Sequence, residues 1–383
     1  MTPPGTSGPL SGLRVVEVAG LGPAPFGAMV LADLGAEVVR LDRTGPPELG
    51  VDPRVDLLNR GKRSVAVDLK HPHAAVLVAD LAARADAFIE GFRPGVAERL
   101  GIGPTALLAA NPRLVYGRMT GWGQDGPLAR TAGHDLTYLA LSGVLHTIGP
   151  GDGPPVPPLN LLGDYGGGGM LLAVGVLAGV WRAARTGVGQ VVDAAIVDGA
   201  TLLATQVYGL LHSGLWRDGR GANLLDGAAP HYGVYATQDG HYVAVGALEP
   251  KFYAEFAARL GLAAGAPDPY DSVRWPELRV AIAERFATRT REEWLSIFEG
   301  SDACVAPVLS LGEAPAHPHL VARETFIDVA GVRQPAPAPR FSETPPPPPG
   351  PPPQPGADTT DVLREWAVAD VDGLLAAGVV RQS

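Results

Sequence analysis

RVVEVAGLGPAPFGAMVLADLGAEVVRLDR, residues 14–43, decides the fold. RVVEVAG (14–20) is an apolar, Val-rich run and reads as a buried strand. LGPAPFGAMVLADLG (21–35) reads as a turn and a helix, with Gly35 as its stop. AEVVRLDR (36–43) is the next strand. The alternation continues through SVAVDLK (64–70), AAVLVADLAARA (74–85) into DAFIEGF (86–92), and RLVYGRMTGWG (113–123). Strands alternating with helices predict an α/β fold on a parallel sheet. Such sheets bind ligands beyond the carboxyl ends of their strands. Here those ends carry Asp42 and Arg43, Lys70, Arg93, then Thr120 and Gly121.

Further on, a long helix is expected after residue 165, then GQVVDAAIVDGA (189–200) and more helix. RGANLLDGAAPHYGVY (220–235) is loop-rich and reads as a crossing segment. GHYVAVGALEPKFYAEFAARLG (240–261) reads as strand, turn and helix, the start of a second, smaller domain. The expected division is a large domain over 1–195 completed by 337–383, a linker at 196–232, a small domain at 233–318 and a return linker at 319–336. Residues 344–356, inside PAPAPRFSETPPPPPGPPPQPG (335–356), read as a semi-rigid proline spacer, because prolines give no N–H to a helix or ladder. DTTDVLREWAVADVDGLLAAGVV (358–380) predicts two short helices.

The 383 residues suit about two domains, and the net charge of −10 disfavours nucleic acid or an anionic membrane as main partner. An anionic ligand stays open if basic residues cluster locally. Cys304 is the single cysteine, so no intramolecular disulfide forms, which fits a reducing cytoplasm. MTPPGTSGPLSG at the start has no basic n-region or apolar h-region, and the closing RQS is not a peroxisomal address. The longest apolar run, MLLAVGVLAGVW (170–181), is shorter than a bilayer span and reads as a buried helix.

Several stretches carry chemistry. The first βα turn holds Gly20, Gly22 and Gly27, with Asp42 ending the next strand, but the spacing is not G-x-G-x-x-G. Pro23 and Pro25 also remove N–H groups that would meet a pyrophosphate, so a tight turn is the better reading than a dinucleotide site. Arg43, Arg60, Lys62, Arg63, Lys70, Arg93 and Arg99 are each ordinary surface cations alone. Arg43, Lys70 and Arg93 together fall at strand ends and would rim a polyphosphate ligand. In TAGHDLTYLALSG (131–143), His134 or Asp135 taken alone favours a helix N-cap, and the same geometry also suits half of an active site, with an imidazole beside free helix N–H groups. Asp164, in LNLLGDYGGGGM (159–170), reads as an N-cap for a 169–181 helix or as a carboxylate beside a glycine bed open to a ligand. Glu249 alone is a first-turn acid before Pro250. No metal is assigned, since the histidines lack ligand-like spacing.

These segments, together with EGFRPGVAERLG (90–101), GVGQVVDAAIVDG (187–199) and SDACVAPVL (301–309), occur in an order that resembles the class III CoA-transferase (CaiB/BaiF) family, up to about residue 341. The GHD triplet resembles its racemase branch, and the proline run departs from the family pattern. The resemblance implies a Rossmann-like large domain, a smaller α+β domain and an interlocked homodimer with active sites shared between subunits. It implies His134 and Asp164 as the acid–base pair, with Glu249 of the partner chain supporting His134. For Asp135 it leaves the backbone N–H as the donor to an enolate oxygen. CoA contacts are implied for Arg43, Val67, Asp68, Leu69, Lys70, Gly91, Phe92, Arg93 and Arg99, and thioester contacts for Gly133 and Tyr138. The implied reaction inverts C2 of 2-methylacyl-CoA thioesters by proton transfer, with no cofactor beyond the CoA of the substrate. The alternative is a CoA-transferase in which Asp164 is the nucleophile.

Overall fold

A computed structural model describes residues 8–45 and 51–383. The first seven residues of MTPPGTSGPLSG, on which the reading of the leader partly rests, lie outside the described residues.

Chain order in the first half is β1 (Arg14–Val18), α1 (Pro23–Asp33), β2 (Glu37–Asp42), β3 (Arg63–Val67), α2 (Ala74–Ala82), β4 (Ala87–Glu90), α3 (Val96–Arg99), α4 (Pro104–Ala110), β5 (Val115–Thr120) and α5 (Asp135–Leu141). A π-helical segment, Leu161–Met170, runs into α6 (Leu171–Thr186), followed by β6 (Gln190–Ala195) and α7 (Ile196–Leu203). Next come α8 (Thr205–His212), β7 (Tyr232–Ala236), β8 (Tyr242–Gly246), α9 (Pro250–Leu260), α10 (Trp275–Phe286), α11 (Arg291–Phe298), β9 (Val305–Pro307) and α12 (Pro318–Ala322). The chain closes with β10 (Phe326–Val329), β11 (Val332–Pro335), α13 (Thr359–Glu365), α14 (Val371–Ala376) and β12 (Val380–Arg381).

The large domain is built on one sheet of order β12-β3-β2-β1-β4-β5-β6. Every pairing is parallel except that of β12 on β3. The period of two sorts its valines: Val15 and Val38 face a core with Ala28, Leu31 and Val176, whereas Val16 and Val39 face a core with Leu77, Leu81 and Trp366. Burying each such aliphatic side chain stabilises the fold by roughly 1.5–3 kcal/mol. Because β1 leads to β2 and β3 on one side and the chain crosses to β4 on the other, the order reverses between β1 and β4. That switch point opens a crevice at the carboxyl ends of both strands.

The chain divides into a large unit (1–142, 159–203, 322–383) and a small unit (143–158, 204–321). This corrects several expected boundaries. Residues 143–158 belong to the small unit, where the Arg220 guanidinium donates to the carbonyls of His146, Pro150 and Gly153 at 3.1, 3.0 and 2.5 Å. The 196–232 stretch is no mere linker: it contains α7 in the large unit and α8 in the small one. Likewise 319–336 contains the antiparallel β10–β11 hairpin, turned through Ala330 and Gly331 at φ 50° and 82°. The small unit is an α+β body, with β7-β8-β9 antiparallel against a core of Phe256, Phe286 and Trp294.

The helix after residue 160 is longer than its apolar run predicts, because the π-helical turns join α6 into 26 residues from Leu161 to Thr186. That length and composition would cross a bilayer. In this fold its first half is instead sunk between α1 and α7. A Cβ on Gly169 would lie 2.5 Å from the Pro23 carbonyl oxygen, and one on Gly167 would lie 2.6 Å from the Ala200 nitrogen.

Candidate active site

A cavity of about 570 Å³ fills the switch-point crevice. The loops after β1, β2, β4 and β5 border it, together with the start of α5 and the π-helical segment, so all its lining comes from the large domain.

His134 occupies the N-cap of α5 in extended backbone (φ −136°, ψ 168°). The capping work falls to its neighbour: Thr137 Oγ1 accepts from the His134 N–H at 3.1 Å, and the Thr137 N–H donates to the His134 carbonyl at 2.8 Å. His134 lines the cavity beside Gly133 while holding this cap position. The two readings of the GHD stretch are thus compatible.

Asp135 turns the other way. Its Oδ1 accepts from the Asp164 N–H at 2.6 Å, and its carboxylate also interacts with the Gly163 N–H. The side chain is buried, and burial raises its pKa against the lowering effect of those amides. A Cβ on Gly163 would overlap this carboxylate. Asp135 thus ties the residue after His134 to Asp164 itself, across 29 positions of sequence.

Asp164 sits in the first turn of the π-helical segment and lines the cavity. It is not an N-cap for a 169–181 helix, because the helix already begins at Leu161. Its pKa is raised, first by burial and further by the Asp135 charge, while the Asn160 amide and His134 pull it down. Asn160 Nδ2 donates to Asp164 Oδ2 at 3.2 Å. Gly22, at φ 70°, faces the same oxygen, and a Cβ there would lie 3.2 Å from it. The glycines that follow are not a ligand bed as the sequence suggests. Gly167, Gly168 and Gly169 let α1 and α7 approach the helix backbone, and Gly199 would overlap Gly167 if it carried a side chain.

Tyr138 projects one turn into α5, its ring edge-on to Trp122 with centroids 4.6 Å apart. Gly121 and Gly133 leave the space for it: a Cβ at Gly133 would lie 2.5 Å from the ring, and one at Gly121 would overlap it. Tyr165 stacks on Phe26 at 4.6 Å and closes the same side.

Among residues implied as CoA contacts, Arg43, Gly91, Phe92 and Arg93 border the cavity. Glu90, fully buried at the end of β4, holds that last loop: its Oε2 accepts from the Phe92 N–H at 2.6 Å and its Oε1 from Arg118 Nε at 3.1 Å. Burial pushes the Glu90 carboxyl up to about 7. Val67, Asp68, Leu69, Lys70 and Arg99 do not border the cavity. β3 lies two strands from the switch point, Val67 is buried in its core, and Asp68 Oδ1 is occupied by the Lys70 N–H at 3.0 Å. Arg60, Lys62 and Arg63 serve the fold, paired with Asp33, Glu17 and Glu365. Glu249 lies in the small unit at the N-cap of α9. The Glu90–Arg118 pair and the Asp135–Asp164 tie had no sequence signal, because each joins distant segments, whereas Asn160 stands only four residues before Asp164 and went unread.

The model of CoA-transferase family III matches residues 10–359. Alpha-methylacyl-CoA racemase of Mus musculus is 46% identical over 360 residues, covering 93% of this chain and 93% of its own. Succinyl-CoA:glutarate CoA-transferase of Mus musculus is 32% identical, covering 98% of this chain and 91% of its own. A crystal structure of a CaiB/BaiF family protein from Brucella suis superposes with a TM-score of 0.80 at 26% identity, covering 94% of this chain and all of that one.

Proposed function

Since the chain belongs to CoA-transferase family III, we propose that it is an α-methylacyl-CoA racemase, an isomerase that interconverts (2R)- and (2S)-2-methylacyl-CoA thioesters. The observation that carries this reading is His134 and Asp164 lining one crevice.

In one direction the Asp164 carboxylate removes the C2 proton and becomes a carboxylic acid. The electron pair of the C–H bond moves into an enolate, whose oxygen accepts from the Asp135 N–H at the start of α5. Protonated His134 returns a proton to the opposite face of C2, and the reverse direction exchanges the roles. Burial suits Asp164 to this, since a carboxyl with a raised pKa is a stronger base and is closer to the working pH. Arg43 and Arg93 would meet the anionic groups of CoA, and Tyr138 the thioester. No cofactor beyond that CoA enters the scheme.

A homodimer with shared sites follows from the same reading, with Glu249 of one subunit pairing with His134 of the other. In support, the large unit leaves Val174 and Trp181 on α6, and Leu202 and Leu203 on α7, more than half exposed, as surface that an interface covers.

The test is loss of the C2 proton signal from 2-methylacyl-CoA thioesters in D2O by NMR, run with and without a free carboxylic acid. Exchange at C2 without acceptor is the expected result. CoA transfer to the acid with no C2 exchange would overturn the racemase reading in favour of a transferase with Asp164 as nucleophile.

A further inference from the structure

The proline-rich run is not used by the fold as a spacer. Its second half is clipped onto the segment leading into β3. The Gly61 N–H donates to the Gly350 carbonyl at 3.0 Å, and the Gly356 N–H to Ser64 Oγ at 2.7 Å. Asp358 Oδ2 accepts from the Ser64 N–H at 2.9 Å, and Ser64 Oγ in turn donates to Asp42 Oδ2 at 2.6 Å. Asp42 ends β2 and borders the cavity. Between those clips, Pro352 is buried, while half-buried Pro353 and Pro355 border the cavity as well.

We propose that Pro353 and Pro355 form one wall of the cavity's β2 side and receive the nucleotide end of the CoA thioester. The assignment rests on the acyl-CoA reading above. A long ligand whose thioester lies at His134 and Asp164, beyond β4 and β5, must extend its other end across the switch point to the β2 side. That side holds Arg43, a cation for a phosphate, apolar surface from Pro53, Leu58 and the two prolines, and the carboxylates of Asp42 and Asp56 as acceptors for an amino group. Such a mixture fits a purine ring, whose faces are apolar and whose edge is polar. Prolines present rings without N–H groups, and their restricted backbone is already ordered before binding, so little entropy is lost when the ligand seats.

The test is calorimetric titration of CoA, and of pantetheine, which lacks the nucleotide, into the wild-type chain and into Pro353→Ala/Pro355→Ala. The alanines remove ring methylenes while keeping the backbone clips at Gly350, Gly356 and Asp358. CoA affinity should fall about five- to tenfold and pantetheine affinity should not change. Circular dichroism melting checks folding, and Pro355→Ala alone, with a smaller CoA-selective loss, replaces the double variant if that is destabilised. Unchanged CoA affinity, or an equal loss for both ligands, would overturn the inference. Failure of the wild-type chain to bind CoA would bring down the acyl-CoA reading itself, and is told apart because it needs no variant to see.

Discussion

Asp135 is a buried carboxyl and Asp164 a half-buried one, desolvation raises the pKa of each, and one hydrogen bond joins them, yet they do different work. The Asp135 carboxylate takes the Asp164 N–H on Oδ1 and interacts with the Gly163 amide, and it does not line the cavity. Asp164 accepts only from a side-chain amide and does line the cavity. The difference teaches that burial and a raised pKa do not by themselves mark a catalytic acid. What marks it is that its carboxylate faces the cavity, as Asp164 does and Asp135, whose Oδ2 is buried without a partner, does not.

That comparison breaks most visibly at the cavity-facing pair. His134→Ala and Asp164→Asn should each lower the C2 deuterium-exchange rate by roughly 10²–10⁴-fold, the range for loss of one general acid or base. Asp164→Asn keeps the size of the side chain, so its melting temperature should stay near wild type. Full exchange in the Asn variant would sink the two-base scheme.

The structural member should fail in the opposite way. Asp135→Ala leaves the Gly163 and Asp164 N–H groups without their acceptor, at a cost of about 1–3 kcal/mol in stability, read by urea unfolding. Asp135→Asn keeps an acceptor oxygen and should hold both stability and exchange rate closer to wild type. If Asn were as inactive as His134→Ala, the Asp135 side chain would be catalytic and the contrast would be lost. A smaller version of the packing test is Gly163→Ala. Its methyl group would overlap the Asp135 carboxylate, and overpacking costs typically about 1–3 kcal/mol if the contact relaxes. Wild-type stability in this variant would mean the tie is loose.

The same contrast explains what the sequence made legible. The βαβ pattern of residues 14–43 was readable because apolar periodicity is local, and Val15 against Val16 shows the alternation working. His134, Asp164, Arg43 and Arg93 were readable because special residues stand at strand or helix ends, where α/β crevices open. The glycine run after Asp164 misled, because a glycine that admits a helix backbone and one that admits a ligand look alike in sequence. Lys70 misled as a strand-end cation, because strand order sets β3 two strands from the switch point, and Arg99, placed by resemblance alone, does not border the cavity either. The proline run looked inert because the hydrogen bonds that fix it reach about 290 residues back, to Gly61 and Ser64.

The finest test of the comparison is Asn160. Its side-chain amide stabilises the ionised form of Asp164 and so opposes the raising effects of burial and of the Asp135 charge. Asn160→Ala removes the lowering influence alone, so the Asp164 pKa should rise further. A base works only when ionised, hence the acid limb of the pH profile for C2 exchange should move to higher pH. The size of the move should be in keeping with the loss of a single hydrogen bond to the ionised carboxylate. The plateau rate above that limb should change little, because the carboxylate is still in place and Asp135 still holds its backbone. A limb that stayed fixed, or moved to lower pH, would show that Asp164 is not the group whose ionisation the exchange requires.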